Sequence, residues 1–89
     1  MEFEFDPAKS ASNKDKHGID FIEAQSLWLD QRRLVAPLAM EDEARYIMIA
    51  RLDGKIWSTI FTYRGDRIRI ISVRRARDKE RQHYENDEC

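Results

Sequence analysis

Apolar and polar residues alternate at the start of the chain, in the stretch EFEF (2–5), which reads as a short strand. The period then lengthens. Asp6 can accept hydrogen bonds from free backbone N–H groups and Pro7 suits a first helical position, so a helix starts here. It is expected to run through Lys16 and stop at His17-Gly18, where glycine accepts the left-handed conformation of a helix end. Asp20-Phe21-Ile22-Glu23 has the form of a capping box with Asp in the capping role. Phe21, Ala24, Gln25 and Trp28 come next at helical spacing, so a second helix should end near Leu29-Asp30.

From there the period shortens to two. RLVAPL (33–38) reads as a strand that Pro37 pushes toward a sheet edge. Glu41-Asp42-Glu43 is an acidic loop, and RYIMIARL (45–52) is strand-like. Asp53-Gly54 is a strong two-residue hairpin signal, KIWSTIFTY (55–63) the returning strand, and Arg64-Gly65-Asp66 a second tight turn. Residues 67–74 form the third strand of this meander. The last segment, 75–86, is polar with only Ala76 and Tyr84 to bury, and reads as a weakly held helix. The expected fold is α+β: an antiparallel sheet with two N-terminal helices on one face and a C-terminal helix, in one domain covering 1–89. Phe3, Phe5, Phe21, Trp28, Ile47, Ile49, Ile56, Ile60, Ile68 and Ile70 are the expected shared core, with the other sheet face left open.

Composition narrows the function. With 89 residues the chain holds one small domain. No apolar run approaches the ~18 residues of a membrane span. MEFEFDPAKS is acidic and lacks an apolar signal core, so a cytoplasmic location without membrane contact is expected. Cys89 is the only cysteine and His17 and His83 lack ligand-type neighbours, so no metal or other cofactor is expected.

The charge is segregated. Arg64, Arg67, Arg69, Arg74, Arg75, Arg77, Lys79 and Arg81 face only Asp66, Asp78 and Glu80, a local balance of +5 in a chain whose total is −1. Strict alternation along 67–74 gives two mixed faces. A bulge near Ile70-Ile71 repairs the pattern, turning Ile68, Ile70, Ile71 and Val73 inward and Arg67, Arg69, Ser72 and Arg74 outward. Guanidinium groups on an open face suit phosphate, because the planar fork donates two parallel hydrogen bonds and stays charged. The competing explanation is a solvated face that blocks edge aggregation. The shortage of carboxylates nearby in sequence brings the two readings level.

The segments FEFDPAKSASNKDKHGIDFIEA, FTYRGDRIRIISVRRA and KERQHYE together resemble the BrnT family, small bacterial ribonuclease toxins of type II toxin–antitoxin systems with a RelE-like fold. Phe5 stands where that pattern often has Trp. The resemblance implies an RNA-cleaving toxin that blocks translation. It also implies a cognate antitoxin that carries a DNA-binding domain, so that DNA is met only through the complex. A toxin dimer within a toxin–antitoxin heterotetramer is implied as well.

Metal-independent RNA cleavage needs a base for the 2′-hydroxyl, cations for the phosphorane-like transition state and an acid for the leaving 5′-oxygen. Arg64, on a turn, and Arg74, ending a strand, are the first choices for phosphate contacts. Glu80 is the carboxylate best placed to act as base, kept ionised by Arg77, Lys79 and Arg81. Arg67, Arg69, Arg75, Lys14, His17 and Tyr84 are candidate RNA-binding residues. For His17 a helix-end role competes, and for Tyr84 an anchoring one. The alternative function is a non-catalytic nucleic-acid- or protein-binding module. An autonomous DNA-binding repressor is disfavoured by the lack of a helix–turn–helix pattern.

Overall fold

The computed structural model describes residues 1–39 and 43–86. Residues 41 and 42 of the acidic loop, and Cys89, lie outside them. The elements are β1 (Glu2–Glu4), α1 (Pro7–His17), a 3-10 helix (Glu23–Leu29), β2 (Leu34–Leu38), β3 (Arg45–Leu52), β4 (Lys55–Arg64), β5 (Arg67–Arg75) and α2 (Asp78–Asn86).

Local chemistry sets the boundaries. The Asp6 carboxylate accepts from the Ala8 N–H at 2.9 Å, and Pro7 opens α1. Gly18 ends it at φ 80°, its N–H donating to the Lys14 carbonyl. The capping box closes in both directions: Glu23 N–H donates to Asp20 at 2.7 Å and Asp20 N–H donates to Glu23 at 3.0 Å. It opens a 3-10 helix rather than the expected α-helix. Asp53 and Gly54 both have positive φ, 52° and 76°, the geometry of a type I′ hairpin.

The five strands form one sheet in the order β1-β5-β4-β3-β2, with Pro37 on the edge strand as expected. The sheet is mixed rather than antiparallel, because β1 runs parallel to β5 with Phe3 opposite Ile68. The bulge in β5 is present. Ser72 pairs with Ile60 and Ile70 with Phe61, leaving Ile71 as the extra residue. Ile68, Ile70 and Val73 are buried, whereas Ile71 is only partly so.

The main core lies between this face and the N-terminal segments. Ile19, Phe21, Ala24, Leu27 and Trp28 pack on Met48, Ala50, Trp57, Phe61, Ile68, Ile70 and Val73. Phe61 is fully buried, with the rings of Trp28, Tyr63 and Tyr46 at 5.3, 5.5 and 5.6 Å. The expected phase of β3 and β4 is therefore inverted. Ile49 and Ile56 belong to a second cluster with Tyr84 of α2, and Ile47 and Ile60 lie partly exposed on that same opposite face. Helical segments cover parts of both sheet faces, so both faces of β3 and β4 are apolar and alternation alone could not set their orientation.

Asn13 joins α1 to the sheet. Below Arg69, β1 no longer pairs with β5, and the Asn13 amide takes over the ladder. Its Nδ2 donates to the Val73 carbonyl at 2.9 Å, and its Oδ1 accepts from the Val73 N–H at 3.1 Å. Nδ2 also donates to the Ile19 carbonyl at 2.8 Å, so one buried side chain fixes helix, loop and strand.

Candidate nucleic-acid interface

The bulge and the hairpin register place Arg64, Arg67, Arg69 and Arg74 on the sheet face that also carries α2. Their expected freedom from carboxylates does not hold. Glu2 and Glu4, two residues apart on β1, meet Arg67 and Arg69 at 3.7 and 2.9 Å. Glu43 lies 3.7 Å from Arg64, and Arg81 pairs with Asp78. The carboxylates on Arg64, Arg67 and Arg69 come from distant sequence, which is why a count confined to the basic segment did not find them. The alternation in EFEF was the available signal for Glu2 and Glu4.

Arg74 has the strongest arrangement. Its guanidinium donates twice to Glu80, at 2.8 and 2.9 Å, and once to the Arg75 carbonyl at 3.2 Å. Glu80 also accepts from the Arg77 N–H at 2.8 Å and, at 3.5 Å, from the Ser58 hydroxyl. The Arg74 hydrogen bond comes first among the effects on Glu80. Together with the Arg77 N–H it outweighs partial burial and holds the carboxyl below its ordinary range. The same pair raises Arg74. Glu80 is thus ionised, as expected, but chiefly through Arg74.

Arg64 and Arg74 share a face without sharing a position. Arg74 lies opposite Ser58 and Arg64 six residues further along β4. At ~3.3 Å per strand residue this separates their backbones by about 20 Å. Arg75 faces the opposite side, its guanidinium 5.6 Å from the Trp57 ring centre.

Tyr84 is an anchor. It is 6% exposed, and its hydroxyl donates to Asp30 at 2.6 Å. Asp30 accepts in addition from the Arg51 and Arg32 N–H groups at 2.8 and 2.9 Å. Burial, then the bond to Asp30, pushes the Tyr84 hydroxyl up to about 12. Burial works against ionised Asp30, yet these donors hold its carboxyl below the usual range.

Lys14 and His17 lie on different flanks of α1. Lys14 is tied to Glu23 at 2.7 Å. His17 is exposed and lines a cleft of about 220 Å³ with Lys9, Ser12, Asn13, Lys16, Ile71 and Ser72. Lys9 and Ser12 were not singled out in the sequence, and Ser72 only as an outward residue of β5. The seven-residue spacing of Lys9 and Lys16 on a helix was the signal for the shared flank. Among the described residues, no three His, Cys, Asp or Glu side chains converge as a metal site, and no helix is long and apolar enough to cross a membrane.

These features define a small α+β protein with an arginine-bearing sheet face and a basic cleft beside it. Over residues 5–80 the chain matches the family of BrnT, the ribonuclease toxin of type II toxin–antitoxin systems, and it belongs to that family. A type II toxin implies a protein antitoxin as partner. A search of the curated proteins found no match.

Proposed function

We propose that this protein is an endoribonuclease that cleaves RNA without a metal, inhibits translation in the cytoplasm and is neutralised by a cognate antitoxin. The observation that carries the reading is the Arg74–Glu80 pair on an arginine-bearing sheet face, in a chain of a ribonuclease toxin family. Cleavage proceeds by attack of the 2′-oxygen on the adjacent phosphorus and departure of the 5′-oxygen. Arg74 stabilises the negative charge that builds on the phosphoryl oxygens. Glu80 is a positioning residue: its lowered pKa makes it a weak base, and its carboxylate fixes the plane of the Arg74 fork. Arg64, about 20 Å away, contacts a different phosphate, with Arg67 opposite it and Arg69 between them and Arg74. The family's RelE-like architecture, a toxin dimer within a heterotetramer and DNA contact through the antitoxin belong to the same reading.

The test is cleavage of an RNA substrate at saturation. Arg74→Ala should lower the maximal rate about 100- to 1000-fold while circular dichroism remains that of the folded protein. Arg64→Ala should weaken binding in a salt-dependent manner. Glu80→Gln should lower the rate without changing the shape of the pH–rate profile. Loss of an acid limb from that profile would make Glu80 the base instead. EDTA should leave the wild-type rate unchanged. Full activity in folded Arg74→Ala would remove the arginine from the mechanism.

A further inference from the structure

The arginines of the sheet face are occupied by carboxylates, but the cleft between α1 and β5 is not. Lys9, Lys16 and His17 line it from one flank of the helix, with the hydroxyl-bearing residues Ser12 and Ser72 beside them. Among the described residues no acidic side chain lines it and neither lysine forms an ion pair. The acidic Asp15 lies on the other flank, beside Pro7 and Ile22. The cleft exists because of two features of the fold. The Asn13 amide holds α1 against the edge of β5, and the bulge leaves Ile71 as an extra residue in the strand at this edge. Ser72 belongs to both regions, since it lines the cleft and lies two residues from Arg74. That distance is about 7 Å along the strand.

We infer that this cleft is a phosphate-binding subsite that holds the RNA backbone next to the cleaved linkage. The inference rests on the ribonuclease reading above. Ammonium, imidazole and hydroxyl groups around a small cleft match the oxygens of a phosphodiester. A strand that reaches Arg74 from the α1 side passes the cleft first. The cleft therefore sets which way the RNA runs across β5. Contacts of this kind read no base, so they raise affinity for any sequence.

The test uses the full-length protein and a short single-stranded RNA oligonucleotide. A fully 2′-O-methylated version, which cannot be cleaved by its own 2′-oxygen, serves for binding by fluorescence anisotropy over a range of salt. The double variant Lys9→Ala, Lys16→Ala should bind more weakly, with the slope of log affinity against log salt reduced in magnitude by about 1.4 for two lost single-strand phosphate contacts. With cleavable RNA it should raise KM and retain kcat. Lys55→Ala, the loss of one exposed charge away from the cleft, should leave the slope within experimental error. Both lysines are exposed, and circular dichroism checks the fold. A double variant with wild-type slope and KM overturns the inference while wild-type cleavage keeps the ribonuclease reading. Weakened antitoxin binding with unchanged RNA binding also overturns it, assigning the cleft to an acidic protein segment. A wild type that neither binds nor cleaves RNA removes both readings.

Discussion

Replacing Tyr84 by phenylalanine removes one oxygen from the contact that holds α2 to the rest of the protein. That oxygen donates to the ionised Asp30 at 2.6 Å and is buried. A hydrogen bond to a charged group contributes about 1.5–3 kcal/mol to stability. The titration of Tyr84, raised first by burial and then by the bond to Asp30, sets how that stability depends on pH. Its pKa rises from 10.0 to about 12 on folding. A two-unit rise corresponds to about 2.7 kcal/mol at about 1.36 kcal/mol per unit. The sign is set by the direction of the shift. Because the folded value lies above the unfolded one, this stability is complete below pH 10 and is lost as pH rises toward about 12. Above that range a phenolate would face a carboxylate. Urea denaturation of wild type and Tyr84→Phe at steps between pH 7 and 12 measures the effect. The variant should be less stable by about 2–3 kcal/mol at pH 7, and the gap should close through the alkaline range. A gap that stays constant from pH 9 to 12 would refute the argument that burial, together with the bond to Asp30, raises the titration of Tyr84.

Asn13→Ala removes three buried hydrogen bonds and leaves the Val73 N–H unpaired, so a loss of about 3 kcal/mol or more is expected in calorimetry. Among the described residues the buried Thr59 hydroxyl has no partner, and Thr59→Val should keep or raise the melting temperature, by the equivalent of about 1 kcal/mol at most. Glu80→Gln should lower stability at neutral pH. Because the carboxyl is lowered on folding, the difference from wild type should vanish as pH falls below the ordinary value of 4.5 and through the folded one. Phe61→Ala, which removes a ring packed against three others, should cost about 3–5 kcal/mol in chemical denaturation.

The turns, the helix caps and the β5 bulge were legible because each depends on a few neighbouring residues. Asp53-Gly54 needs positive φ at two adjacent positions, and the capping box needs only Asp20 and Glu23. The phase of β3 and β4 was not legible, since IMI and TIF place apolar residues on both faces and the deciding contact is Tyr84, far along the chain. The charge of the basic strand was legible, but its neutralisation was not. Glu2 and Glu4 reach Arg67 and Arg69 only through the parallel pairing of β1 with β5. The part played by Asn13 was not legible. Its buried role depends on a strand edge 60 residues away in sequence.

The extra residue at Ile71 gives β5 one residue of slack. Without it, Arg67, Ile68, Arg69, Ile70, Ser72, Val73 and Arg74 would alternate without interruption, with the same apolar side chains inward and the same arginines outward. A gene that lost the codon for Ile71 would therefore encode a straighter strand with its two faces preserved. In β3, where the ladder to β4 has no such irregularity, the same lesion would turn half the strand over and carry Met48 or Ala50 out of the core. The strand that bears the arginines is thus the one strand of the meander built to absorb a single-residue deletion in this way, and length variation among such proteins should concentrate at this position.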